Sequence, residues 1–162
     1  MYREILTKAI IAKGEKEIKE IKTVDTQNNV SKVLGCWIIN HIHNIKRSNQ
    51  KIFIVGCYDA YFWYGYNDNS ACGLFYQKFD FEDEIPYMFS QESSELNEQN
   101  EIKDYVLKQP ACTSMKFDNT NITIEIERKY SIDIIGETKL RIKVDDVIID
   151  EMINTDYVKN KK

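Results

Sequence analysis

Between Ile52 and Tyr66 nearly every position is bulky and apolar, on both faces that a strand of period two would present. One face carries Ile52, Ile54, Tyr58, Ala60, Phe62, Tyr64 and Tyr66, and the other carries Phe53, Val55, Cys57, Tyr61 and Trp63. A strand with one wet face alternates apolar with polar residues, so this one needs cover on both sides. Two arrangements supply it. In the first, the segment is a central strand packed on both faces and is only core. In the second, one face with Tyr61 and Trp63 is left for a partner, because Tyr and Trp join large apolar area to a polar handle. A small β domain rarely has enough helix to cover a second sheet face, and the residues alone leave both arrangements open.

The rest of the chain reads as β as well. From Ile122 to Ile134 six of the seven even positions are Ile or Tyr, Arg128 being the exception, and the odd ones are polar. This is a long antiparallel strand with one wet face. Gly136-Glu-Thr138 interrupts it as a bulge or turn before Leu140–Val144 resumes the alternation. Ile5–Ala12 and Val33–Ile42 are further strand candidates, and Glu15–Lys22 is a weak helix or an exposed strand. Asn67-Asp-Asn69 marks a turn, since Asn and Asp tolerate left-handed backbone, and Leu74–Phe81 is its returning strand. Residues 90–100 form a polar loop leading to Glu101–Lys108, whose Ile102, Tyr105 and Val106 fit one helical face that Pro110 ends. The expected fold is all-β or mostly β: an antiparallel two-sheet sandwich or barrel-like domain with at most one or two short helices. Residues 1–144 form one β domain or two β halves, about 1–89 and 101–144, and 145–162 a short charged tail.

Composition narrows the functional classes. With 43% hydrophobic and 30% charged residues the chain is globular, and at this length it buries roughly 70% of its unfolded surface. The net charge of −4 and the scattered basic residues argue against nucleic acid as a partner. The start has no apolar core of a signal peptide, and no long uncharged apolar run predicts membrane insertion. Cys36, Cys57, Cys72 and Cys112 form no Cys-x-x-Cys pair and are expected as free, buried thiols.

Candidate chemistry is sparse. His41 and His43 share a strand face, as a metal site needs, but no nearby ligands complete it, and surface or loop histidines are expected. Cys57 or Cys112 as a nucleophile requires one of these histidines as base, a pairing that spacing does not supply. The acids in Asp80-Phe-Glu-Asp-Glu84 lack the ligand spacing and glycine of a calcium loop and are expected as a solvated turn. No glycine belongs to a phosphate-binding run. No catalytic, cofactor or metal residues are therefore assigned, and the chain is not expected to be an enzyme.

Five blocks carry a family resemblance, in order along the chain: Tyr2–Gly14, Leu34–His41, Tyr58–Asn69, Val106–Cys112 and Gly136–Lys139. Together they resemble the outer spore coat morphogenetic protein family, CotE. The resemblance implies a structural protein made in the cytoplasm of the mother cell of an endospore former. It gathers on the basement layer around the spore, self-associates and directs outer coat assembly. Its implied partners are further copies of itself and other spore coat proteins, including the basement-layer anchor. The better-known members carry a long, very acidic tail, from which the stretch after Asp145 departs, and Cys36 stands where a second glycine is usual. Trp37, Tyr61, Trp63 and Tyr64 are the candidates for self-association or partner contact. The competing reading is a non-assembling module whose aromatic face holds a small ligand or carbohydrate. Tyrosines and cysteines also permit covalent cross-linking.

Overall fold

The alternation from Ile122 to Ile134 is the middle of the strand around which one of two sheets is built. The computed structural model describes residues 1–91 and 94–144. The short charged tail expected at 145–162 lies outside the described residues. Seven strands follow in order: β1 (Tyr2–Asp25), β2 (Val30–Ser48), β3 (Lys51–Tyr66), β4 (Ala71–Glu84), β5 (Tyr87–Phe89), β6 (Glu101–Asp118) and β7 (Asn121–Lys143). One sheet runs β5-β1-β7-β6 and the other β2-β3-β4, every pairing antiparallel. The fold is an all-β sandwich that does not close into a barrel, and the described residues contain no helix.

Local chemistry sets the turns. Asn67, Asp68 and Asn69 all take positive φ between β3 and β4, and the Ser70 N–H donates to Asn67 O at 3.0 Å. Asn49 and Asn119 take the same backbone region at the β2–β3 and β6–β7 turns. The core lies between the sheets. Ile122, Ile124, Ile126, Tyr130, Ile132 and Ile134 of β7 face Ile52, Ile54, Tyr58, Ala60 and Phe62 of β3, and none is exposed. Full burial of each Ile contributes about 2–3 kcal/mol.

Three expectations need correction. Glu101–Lys108 is not a helix but the start of β6, since Ile102 and Val106 also share a strand face and its backbone pairs with Ile135–Lys129 of β7. Tertiary pairing overrides a helical pattern only two turns long. Pro110 does not end an element either; it sits at an irregularity of this edge strand, between Lys108 and Ala111, where a missing N–H is tolerated. The Asp80–Glu84 acids are not in a turn but close β4, so the pleat sends Asp80, Glu82 and Glu84 to solvent and Asp83 into the core. Glu15–Lys22 is strand, and β7 runs through Gly136 without a break.

Between the layers lies one buried ionic cluster. Arg128 donates from Nε and Nη2 to the two Asp83 carboxylate oxygens, and from Nη2 to Glu20 Oε1, each at 2.7 Å. Its guanidinium stacks 4.7 Å from the Phe81 ring. Burial raises the Glu20 pKa, but the Arg128 hydrogen bond and charge outweigh it and hold the carboxyl below its ordinary value. Three strands from both sheets are thereby tied at one point.

Candidate functional site

The two faces of β3 differ in their cover. Its inner face is the core just described. Its outer face is left open among the described residues, where only the flanking strands β2 and β4 lie beside it and no layer lies over it. Of the two arrangements the sequence allows, the described residues adopt the one with an uncovered face.

Register decides what that face displays. Trp37, Tyr61 and Tyr76 stand side by side across β2, β3 and β4, and Gly35, Trp63 and Leu74 form the next row. Gly35 leaves space that the two indoles share: the Trp37 and Trp63 centroids are 5.7 Å apart and tilted by 47°. Tyr61 and Tyr76 meet at 5.1 Å. Such cross-strand aromatic pairs stabilise the sheet by about 0.5–1 kcal/mol each. Trp37, Ile39, Trp63, Leu74 and Tyr76 nevertheless remain between 45% and 62% exposed. Exposed apolar side chains that lie together in this way mark a candidate contact surface.

A polar rim closes one end of the patch. Asp59 accepts hydrogen bonds from Asn40 Nδ2 at 2.9 Å and from the Tyr76 hydroxyl at 2.7 Å. These bonds hold its carboxyl below the usual range, and the same bond to Asp59 pushes Tyr76 up to about 12. Tyr76 is thus fixed as a donor, with its ring laid against Tyr61. The depression bounded by Trp37, Ile39, Tyr61, Trp63 and Leu74 is shallow, and no charged side chain lines it. It offers breadth and apolar area rather than the enclosed, convergent polar groups of a small-molecule pocket.

Three of the four contact candidates, Trp37, Tyr61 and Trp63, meet here. Tyr64 does not join them. It is 3% exposed on the core face, where its hydroxyl accepts from Asn28 Nδ2 at 3.0 Å and its ring lies under Gly73. Period two separates it from Trp63 by construction. Ile39, Leu74 and Tyr76 were not singled out by the sequence, although counting back from the Asn67–Asn69 turn places Leu74 opposite Trp63 and Tyr76 opposite Tyr61.

The histidines are not on a loop or the free surface. Asn40 takes positive φ (55°) at an irregularity between Ile39 and Ile42, which switches the inward face of β2 from even to odd positions. His41 and His43 therefore stack at 5.1 Å in the seam where β2 passes β6. His41 bonds Gln109 Oε1 and the Tyr130 hydroxyl, each at 2.9 Å, and His43 Nε2 lies 2.6 Å from Asp104 Oδ2. Burial lowers the His41 pKa, with nearby His43 and Arg128 acting the same way. Among the described residues no group of three His, Cys, Asp or Glu side chains is placed to hold a metal, and no histidine is hydrogen-bonded to a cysteine. All four cysteines are free. Cys36, Cys57 and Cys112 are half-buried, while Cys72 is exposed rather than buried as expected.

A bulge of this kind needs room, and Gly56 provides it: a Cβ there would lie 1.9 Å from Ile42 O. Gly14 plays the corresponding part under the β4–β5 crossing, 2.2 Å from Pro86 O by the same construction.

Whole-chain comparison supplies the family. The family model of outer spore coat protein E (CotE) matches residues 1–162. The chain belongs to the CotE family. Membership places it among outer spore coat proteins, and the ordered blocks from Tyr2 to Lys139 are the residues by which the sequence resembles the family. No curated protein and no solved structure matches the chain.

Proposed function

We propose that this CotE-family chain is a structural protein that self-associates through the open face of its β2-β3-β4 sheet and so builds a scaffold for the outer coat. The observation that supports this most directly is the exposed Trp37–Trp63 pair, extended by Tyr61, Leu74 and Tyr76 into one apolar surface. Aromatic clusters of this size act as interface anchors once a partner excludes water around them. Other coat proteins, including the basement-layer anchor, are the further partners, and the mother-cell cytoplasm is the compartment from which assembly proceeds.

Sheet edges supply the second element of the reading. Residues 2–9 of β1 pair with residues 136–143 of β7 beyond the reach of β5 and β6, so among the described residues no further strand pairs with either edge of this ribbon. Its core-side face continues with Ile5, Leu140 and Ile142, all exposed. Open edges template further pairing, a liability in a monomer and a means of growth in a shell.

Size-exclusion chromatography with light scattering at high micromolar concentration tests the proposal. The expected result is an oligomer that Trp37→Glu/Trp63→Glu converts toward monomer while the far-UV spectrum stays unchanged. A wild-type chain that remains strictly monomeric contradicts it.

A further inference from the structure

The seam between β2 and β6 joins the edges of the two sheets through side chains. The two strands come within 8 Å of each other, yet among the described residues no backbone ladder joins them. Side chains alone bridge it, in antiparallel order: Arg47 Nη1 donates to Asn100 O at 2.9 Å, His43 meets Asp104, and His41 meets Gln109. Continuing in that order, the next pair across the seam is Cys36 and Cys112. The two thiols are neighbours across the seam. Both are half-buried against the core, Cys36 beside Phe62 and Cys112 beside Ile126, so a small reagent reaches them while a second protein chain does not easily do so.

We propose that Cys36 and Cys112 form an intrachain disulfide that staples the two sheets along this seam, and that a low-molecular-weight disulfide such as oxidised glutathione is the oxidant. The Cys112 thiolate attacks one sulfur of the oxidant and expels a glutathione thiolate, leaving a mixed disulfide on Cys112. The Cys36 thiol then gives its proton to solvent, attacks the Cys112 sulfur and expels the second glutathione thiolate. Two protein thiols are oxidised, one small disulfide is reduced to two thiols, and no other reactant is needed.

The environment sets the rate. Burial, and after it the neighbouring Cys112, pushes the Cys36 thiol up to about 12, and burial raises Cys112 as well. Thiolate is scarce at neutral pH, so the bond forms slowly and faster in alkali. A staple of this type suits a protein that must assemble while reduced and persist after its surroundings oxidise. Cys72, exposed on β4, and Cys57, on the opposite face of β3 from the seam, have no part in it.

Trypsin separates the relevant peptides cleanly: Cys36 falls in residues 33–46, Cys112 in 109–116, and Cys57 and Cys72 together in 52–78. The test incubates the purified full chain with oxidised glutathione, blocks remaining thiols and maps the peptides without reduction. An equal mixture of light and 15N-labelled chains distinguishes bonds within one chain from bonds between two. The expected product links 33–46 to 109–116 with both halves of one isotope, and oxidation raises Tm by about 10 °C. Cys112→Ser, which cannot form the bond, gains no such increment. Separately alkylated or merely glutathionylated 33–46 and 109–116 peptides would overturn the proposal, as would linked peptides of mixed isotope.

Discussion

Replacing Arg128 with Met tests how the two sheets are held together. Arg128 is wholly buried, and its loss removes three charge-assisted hydrogen bonds of 2.7 Å and the stacking on Phe81. The two acids left behind are not equivalent. Glu20 keeps 23% side-chain exposure and has Lys22 at 3.4 Å, so it can turn toward water. Asp83 keeps only 9%, and it loses both of its hydrogen-bond donors. Breaking a buried pair from one side costs about 3–5 kcal/mol, because an uncompensated charge stays in a low dielectric. That is a large share of the roughly 5–15 kcal/mol available to a domain. Removing both charges, as Arg128→Met with Asp83→Leu, leaves no buried ion and should recover at least half of the loss. Urea unfolding at neutral pH and low protein concentration, run as a double-mutant cycle, measures the coupling without interference from association. A single substitution costing less than about 1 kcal/mol, or a double variant as unstable as the sum of the singles, would refute the argument.

Three further outcomes follow from the geometry. Gly56→Ala, whose added methyl would overlap Ile42 O, should cost about 2 kcal/mol or more in chemical denaturation and shift the amide signals of Asn40 to His43. Acidification should destabilise the seam: His41 has a folded pKa below its unfolded 6.5, so the unfolded chain binds the proton first and stability falls as pH drops below that value. His41→Gln should flatten this slope below about pH 6.5, as read from unfolding midpoints at stepped pH. Tyr64→Phe should leave the oligomeric state unchanged while losing the Asn28 hydrogen bond, a cost of about 1 kcal/mol, whereas Trp63→Ala should weaken association roughly thirtyfold, about 2 kcal/mol.

Much of the fold is written in period-two alternation. The Ile122–Ile134 pattern gives both the strand and its core face, and Asn67–Asn69 gives the β3–β4 hairpin. Arg128 was visible as the one charged residue on that inward face, and Asp83 follows Phe79 and Phe81 at inward spacing, yet their meeting depends on how the layers stack. The irregularity at Asn40 was not legible. It shifts His41 and His43 inward because a bulge adds one residue to one strand, and no local pattern announces it. The β6 segment misled because two helical turns and a strand place Ile102 and Val106 on one side equally well. For the candidate surface, the sequence marked Trp37, Tyr61 and Trp63 but also Tyr64, because a run that is apolar on both faces does not say which side the second sheet covers. The Cys36–Cys112 approach belongs to a seam with no ladder, and so has no sequence register from which to read it.

Footprinting the aromatic face while the chain assembles puts the central claim to its most direct trial. Hydroxyl-radical labelling of dilute and concentrated protein, read residue by residue, should show Trp37, Trp63 and Tyr76 losing reactivity together as oligomer forms, while exposed Met88 stays reactive. Assembly that leaves these three side chains as reactive as in the dilute state would place the contact elsewhere and contradict the account.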